Sequence, residues 1–177
     1  TTQDMYDYYI VEVSSFQLEH IQTFAPTISS ILNIVPNHLD RHGSMEEYLQ
    51  AKGQLLAHQT ESDFTILPLT FMNEFWPFIH KQKVNWVGDD AYDYIIKSLS
   101  DITVKDNLII ILAILENLGF EPETLLPFIQ ELHRPAHRME FIKTVRGIHF
   151  YNDSKATIPQ STLQAVEQCA HEKTILF

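Results

Sequence analysis

Two apolar runs that each end beside polar, metal-ligating residue types constrain the fold of this chain more than any other feature. Residues 8–13 (YYIVEV) and 27–35 are rich in the β-branched and aromatic types that favour buried strands. Glu12 stands near the end of the first run, and His38 and Asp40 follow the second. Ligands of open α/β sheets lie beyond the carboxyl ends of the strands, so these side chains are predicted to converge on one site.

Further strand-like and helix-like segments alternate along the chain. Short β-type runs at 63–67 and 85–87 are separated by a helical pattern at 73–80, and more helical sequence follows at 107–118 and 122–132. This alternation predicts an α/β fold with a mostly parallel sheet layered with helices.

A change of composition divides the chain. Residues 135–140 lie in a polar, basic stretch that we interpret as a hinge after a domain spanning 1–134. Residues 141–177 read as strand, strand, polar loop, helix and a strand at Thr174, which predicts the start of a second, Rossmann-like α/β domain.

A lysine is placed on the apolar side of a predicted helix. Ser44 is a typical N-cap and Glu47 follows three residues later, so the helix is expected to begin at about Met45. Lys52 falls in the stripe that contains Tyr48. Burial lowers the pKa of a lysine. Two outcomes stay open: Lys52 extends its charge to the surface, or its neutral amine reacts with carbon dioxide to a carbamate whose oxygens suit magnesium.

Charge and cysteine content exclude several classes of protein. The formal net charge of -11 argues against a partner that is nucleic acid or an anionic membrane. No apolar run approaches the roughly 20 residues of a membrane span. The single cysteine, Cys169, cannot form an internal disulfide, which fits a reducing compartment.

The ends of the chain and its glycines predict a fragment. The sequence starts without methionine, leads directly into a strand-like run and stops in another one. Its five glycines are scattered singly and form no phosphate-binding loop of the G-x-x-x-x-G-K-[ST] type. If the protein uses ATP, that loop is expected upstream of Thr1.

Three blocks of sequence resemble the Mur ligase family over essentially the whole chain. They are EVSSFQLE at 12–19, NHLDRHGSMEEYLQAK at 37–52, and HRME at 137–140 together with NDSKAT at 152–157. The last block favours the D-glutamate-adding type. The resemblance implies the latter part of the central ATPase domain, without the N-terminal domain and the phosphate loop, followed by the start of the C-terminal domain.

The resemblance implies an ATP-dependent ligase that adds D-glutamate to UDP-N-acetylmuramoyl-L-alanine through an acyl phosphate in peptidoglycan precursor synthesis. It implies ATP and Mg²⁺ as cofactors, a cytoplasmic location and a monomer. We expect this piece alone to be inactive.

The same resemblance assigns site residues. Glu12 and His38 match magnesium-binding positions, His38 lies near the incoming amino acid, and Lys52 matches a lysine that is carbamylated and orients the metal. The remaining predicted positions bind nucleotide (Asn107, Arg138 and Asp153) or substrate (Ser14, Ser15, Lys155 and Thr157). Glu12, His38, Lys52 and Lys155 are the predicted catalytic set.

Three positions depart from the family pattern: Asn37 replaces an aspartate, Ile110 replaces the second amide of the adenine site, and Ile158 replaces an asparagine. These departures favour the second of two alternatives that stay open. One is a metal-dependent hydrolase built on His38, Asp40, His42 and Glu12, because imidazoles and carboxylates can hold a water-activating metal. The other is a non-catalytic binding module.

Overall fold

The computed structural model describes residues 6–97, 105–131, 135–169 and 173–176. The chain divides into two compact units, Thr1–Asp89 and Asp90–Phe177. In the described part, no helix has the length and apolar character needed to cross a membrane. The predicted division into 1–134, a hinge and 141–177 stays a prediction.

The first unit contains a parallel three-stranded sheet. Its strands are β1 (Ile28–Ser30), β2 (Phe64–Pro68) and β3 (Lys83–Val87), in the order β1-β2-β3. The register sets Ile28 opposite Phe64, and Phe64 opposite Lys83. The parallel α/β arrangement that the alternation predicted is confirmed.

Short helices connect these strands. The α-helices of the first unit are α1 (Ser15–Leu18), α2 (Leu39–His42), α3 (Met45–Gly53) and α4 (Met72–Phe75), and the 3₁₀ turns are Gln54–Leu56, Leu69–Phe71 and Trp76–Phe78. The core beneath them is formed by Ile31, Leu56, Leu67 and Phe75. A helix that carries a candidate site residue, α3, is thus continuous with a turn anchored in the core by Leu56.

A buried polar cluster fastens β1 to β2. The side-chain oxygen of Gln59 accepts hydrogen bonds from the hydroxyls of Ser29 (3.0 Å) and Thr65 (2.6 Å). Its amide nitrogen donates to the carbonyl oxygens of Pro26 (2.9 Å) and Phe64 (3.0 Å). Because every polar atom of this buried amide has a partner, the cluster stabilises the strand pair instead of costing desolvation.

The second unit joins helices to a β-hairpin. Its elements are α5 (Asp93–Ile96), α6 (Lys105–Asn117), the 3₁₀ turn Pro122–Leu125, α7 (Leu126–Gln130), β4 (Glu140–Val145), β5 (Ile148–Asn152) and α8 (Pro159–Gln168). The strands β4 and β5 pair antiparallel. As predicted, α6 ends before Gly119, whose φ of 88° closes the helix in the left-handed region.

Three strand predictions are wrong in extent or existence. Residues 8–13 are not a strand and expose their apolar side chains, with Ile10 99% exposed. The second predicted strand, 27–35, is reduced to β1, and residues 173–176 form no strand. A β-prone run becomes a strand only beside a hydrogen-bonding neighbour. In the described residues, the two sheets contain neither 8–13 nor 173–176.

Candidate functional site

The segment that carries Glu12 leads into a tightly capped helix. Ser14 caps α1: the Gln17 backbone N–H donates to Ser14 Oγ at 3.3 Å, and Ser14 N–H donates to the Gln17 side chain at 2.9 Å. This reciprocal pair is a capping box. Glu12 itself is exposed, two residues before the cap. The capping box fixes the turn that begins at Ser14, directly after the exposed segment of Glu12, and the strand predicted for that segment is absent.

His38 adopts an unusual backbone conformation at the start of α2. Its φ is 54°, in the left-handed region that non-glycine residues seldom occupy. The backbone N–H groups of Arg41 and His42 both donate to the His38 carbonyl oxygen at 3.0 Å, which holds this turn closed. The His38 side chain is exposed, with its ring centroid 4.9 Å from that of Phe16. Strain of this kind is found at functional sites more often than elsewhere.

A buried network that the sequence did not predict lies between α1 and α2. The side chain of His42 is hydrogen-bonded through Nε2 to Ser15 Oγ at 3.0 Å, and its Nδ1 lies 3.1 Å from Glu19 Oε1. His42 is 5% exposed and Ser15 is 8% exposed. These residues are 27 apart in sequence, so spacing gave no signal. Both ring nitrogens of His42 have protein partners, so it is not a free ligand for the metal site of the hydrolase alternative.

Lys52 is half-buried on α3, as the apolar stripe predicted. Its helix begins where expected: the Glu47 backbone N–H donates to Ser44 Oγ at 3.1 Å. Burial lowers the pKa of the Lys52 ammonium and raises the pKa of the Tyr48 hydroxyl. Lys52 Nζ lies 5.2 Å from the Tyr48 ring centroid, a cation–π distance. The pKa direction confirms the environment predicted for Lys52, and its carbamylation stays a prediction.

Close packing at the end of α3 fixes the direction of the Lys52 helix. Gly53 is buried against the ring of Phe78, and a Cβ added to Gly53 would stand 2.7 Å from Phe78 Cγ. That separation is shorter than two carbon atoms tolerate. The helix can therefore approach this close to the core only with glycine at position 53.

In the second unit, two loops form what we call the clasp, defined as residues 137–140 and 152–155. The Met139 backbone N–H donates to Asp153 Oδ1 at 3.0 Å, and the Lys155 N–H donates to the His137 carbonyl oxygen at 3.1 Å. The Asn152 amide and His137 Nδ1 lie 2.8 Å apart. His137 and Met139, on either side of Arg138, both have positive φ. The predicted residues Arg138, Asp153 and Lys155 thus belong to one hydrogen-bonded loop pair.

The other predicted residues of the second unit lie outside the clasp. Asn107 is half-buried in the first turn of α6, and Thr157 is exposed on the loop before α8. The predicted set divides between the units: Glu12, Ser14, Ser15, His38 and Lys52 belong to the first, and Asn107, Arg138, Asp153, Lys155 and Thr157 to the second.

The predicted metal residues suit magnesium only if a substrate phosphate provides further ligands. Among the described residues, no group of three or more His, Cys, Asp or Glu side chains could by itself hold a metal ion. Magnesium is commonly bound by one or two carboxylates together with substrate phosphates. Among the predicted metal residues, Glu12 has an exposed carboxylate, and the lowered pKa of Lys52 favours the neutral amine from which a carbamate forms. The residues present therefore fit a magnesium ion that shares its ligands with a phosphate substrate.

Glu12, the left-handed His38 and the half-buried Lys52 all belong to the parallel α/β unit. The family model described as "Mur ligase middle domain" matches residues 1–104. The chain belongs to the Mur ligase family.

Similar curated proteins are named UDP-N-acetylmuramoylalanine–D-glutamate ligase. The protein of Koribacter versatilis is 32% identical over 184 residues, covering 89% of this chain and 40% of the relative. That of Acidobacterium capsulatum is 33% identical over 185 residues, with 89% and 40% covered. That of Thermosipho africanus is 34% identical over 163 residues, with 91% and 38% covered. The chain spans about 40% of the length of these relatives.

Proposed function

We propose that the protein carrying this chain is an ATP-dependent acid–amino-acid ligase that joins D-glutamate to UDP-N-acetylmuramoyl-L-alanine in peptidoglycan precursor synthesis. The proposal rests on membership of the Mur ligase family and on the name shared by its relatives. We also propose that it acts in the cytoplasm as a monomer, with ATP and Mg²⁺ as cofactors.

The structural observation that carries the proposal is the clasp. Hydrogen bonds from Met139 N–H to Asp153 and from Lys155 N–H to His137 hold an arginine, a carboxylate and a lysine on two adjoining loops. Such a set suits a nucleotide: guanidinium and ammonium groups bind phosphate and carboxylate oxygens, and a carboxylate accepts hydrogen bonds from hydroxyls. We assign Arg138 and Asp153 to nucleotide binding, together with the amide of Asn107.

The D-glutamate substrate carries two carboxylates and an amine. The exposed ammonium of Lys155 and the exposed hydroxyl of Thr157 suit recognition of carboxylates. The positive charge of Lys155 also stabilises the negative charge that builds up on a transferring phosphoryl group. Lys155 is therefore assigned both a substrate-binding and a catalytic role.

Residues of the first unit would serve the phosphoryl-transfer step. Magnesium, when bound, stabilises negative charge on the transferring group. Glu12 and His38 are assigned as its ligands, with the Lys52 carbamate orienting the metal. Ser14 is assigned as a substrate contact; the contact predicted for Ser15 is not proposed, because its hydroxyl is buried against His42. The acceptor carboxylate is phosphorylated by ATP, and the amine of D-glutamate then displaces phosphate to form the amide.

An amino-acid panel tests this proposal. The protein as its gene encodes it is incubated with ATP, Mg²⁺, UDP-N-acetylmuramoyl-L-alanine and one of D-glutamate, L-glutamate, L-lysine or meso-diaminopimelate. We expect phosphate release and a new amide only with D-glutamate. A product with another amino acid would overturn the assigned substrate, and ATP hydrolysis that no amine stimulates would overturn the ligase assignment.

A further inference from the structure

The buried histidine of α2 connects the segments that carry the assigned metal ligands. His42 is held from one side by Glu19 (Nδ1 to Oε1, 3.1 Å) and from the other by Ser15 (Nε2 to Oγ, 3.0 Å). Ser15 is three residues after Glu12, and the His42 backbone N–H donates to the His38 carbonyl oxygen at 3.0 Å. One side chain thus joins the turn after Glu12 to the turn that begins at His38.

Aromatic contacts reinforce the same connection. The ring of Phe16 stacks on His42 at 5.3 Å with an interplanar angle of 12°, and it lies 4.9 Å from the ring of His38. The guanidinium of Arg41 stands 4.5 Å from the Phe16 centroid, and Arg41 also contacts Glu19 at 3.2 Å. Phe16 therefore packs against both histidine rings and the Arg41 guanidinium. Of these groups, His42 and Arg41 are held in place by their contacts with Glu19.

The network also reaches the helix of Lys52. The ring of His42 lies 5.2 Å from that of Tyr48, and Lys52 Nζ lies 5.2 Å from the Tyr48 centroid. Tyr48 is 4% exposed, so this contact is part of the packed interior. The segments bearing Glu12, His38 and Lys52 consequently meet on one buried imidazole.

We propose that His42 is a positioning residue that, through Ser15, Glu19 and Tyr48, sets the spacing of the segments that carry Glu12, His38 and Lys52. This inference rests on the proposed function, because it concerns the metal assigned to those residues. A histidine whose two nitrogens are both engaged has a fixed ring orientation, so it can transmit geometry without touching metal or substrate. Side chains hydrogen-bonded directly to metal ligands change metal affinity or activity by about 10- to 100-fold when they are replaced. We expect the lower end of that range for His42, which acts one contact further away.

Three variants test the role. His42→Phe keeps a flat ring against Phe16 and Tyr48 but removes both polar contacts. Glu19→Gln retains an acceptor and removes the charge. His42→Gln keeps one polar group, and it tests whether that group restores part of what His42→Phe loses. His58→Phe is the matched control, because His58 is exposed in a turn of the same unit.

Two readouts are measured beside the thermal unfolding midpoint: the Mg²⁺ concentration for half-maximal ligation, and the affinity for Mn²⁺ by electron paramagnetic resonance with a non-hydrolysable ATP analogue. We expect His42→Phe to weaken both by about 10-fold. Glu19→Gln should weaken them less, His42→Gln should recover part of the loss, and His58→Phe should match the wild type.

The outcomes separate the inference from the function on which it rests. A lower unfolding midpoint for His42→Phe with unchanged Mg²⁺ and Mn²⁺ values would make the network purely structural and overturn the inference. If His42→Phe does not fold, unchanged Mn²⁺ affinity in Glu19→Gln has the same meaning. If the wild type forms no amide, the proposed function fails, and the Mn²⁺ affinities still decide whether His42 positions a metal site.

Discussion

Lys52 Nζ lies 5.2 Å from the ring centroid of Tyr48, one helical turn away on the buried side of α3. This contact places the ammonium beside a π-face, and burial lowers its pKa. A lysine whose pKa is lowered by burial reacts more readily with carbon dioxide than a surface lysine, because only the neutral amine reacts. The first two predictions follow from this environment.

We predict that Lys52 carries a carbamate in the presence of bicarbonate. The protein is equilibrated with ¹³C-labelled bicarbonate, and a carbamate carbonyl resonance is sought by NMR. Lys52→Arg should abolish the resonance, whereas Lys83→Arg should retain it, because Lys83 is an exposed lysine that also lies over an aromatic ring, that of Phe64. A resonance unaffected by Lys52→Arg would assign the modification elsewhere.

The pH dependence of stability gives a second test of the same side chain. The pKa of Lys52 is below its ordinary value of 10.5 in the folded protein, so the folded state binds fewer protons than the unfolded state in the window between the two values. Stability should therefore rise with pH through that window, and the penalty is fully present below the folded pKa. Lys52→Met should be more stable than the wild type at about pH 7. Its stability should also rise less steeply with pH in that window, because the titrating amine is absent. Denaturant unfolding without bicarbonate at several pH values measures the free energy of unfolding of both proteins. The same dependence on pH in Lys52→Met and the wild type would contradict the burial of Lys52.

The contact between Gly53 and Phe78 predicts a packing defect. Gly53→Ala inserts a Cβ 2.7 Å from Phe78 Cγ, and overpacking of this kind costs about 1–3 kcal/mol. Urea unfolding should show that loss in the free energy of unfolding. Phe78→Leu in the same chain should recover part of it, because the smaller side chain frees the space. A Gly53→Ala variant as stable as the wild type would mean that α3 is not held this closely to the core.

The assignment of Lys155 predicts a large and local effect on ligation. Lys155→Ala removes a positive charge assigned to D-glutamate and the phosphoryl group, so kcat/KM for D-glutamate should fall by about 100-fold or more. Lys143→Ala is the control, since Lys143 is an exposed lysine on β4 of the same unit. Equal effects of the two substitutions on kcat/KM would indicate a general charge effect and refute the assignment.

Local signals in the sequence predicted local structure well. The Ser44 cap and the phase of α3 were predictable, because capping and apolar periodicity act within a few residues. The parallel sheet followed from the alternation of β-prone and helical segments. Residues 8–13 failed because β-propensity describes a side chain's fit to a sheet, and a strand also needs a neighbour.

Contacts between distant segments were not predictable in the same way. The hydrogen bond between Ser15 and His42 joins residues 27 apart, and no periodicity links them. The left-handed backbone of His38 arises from the turn that closes onto its carbonyl oxygen, which the residue type does not encode. Sequence reasoning therefore identified His38 and Lys52 as candidates, and His42 as a metal ligand of the hydrolase alternative, but it did not predict that the His42 imidazole is buried between their segments.

In the proposed reaction, ATP activates a carboxylate of the UDP-linked substrate. UDP-N-acetylmuramoyl-L-alanine labelled with ¹⁸O in its alanine carboxylate is ligated to D-glutamate by the protein as its gene encodes it, and the released phosphate is analysed by mass spectrometry. An acyl phosphate predicts that one carboxylate oxygen is transferred, so the phosphate should carry ¹⁸O. Amide product accompanied by unlabelled phosphate would show that the carboxylate is not phosphorylated.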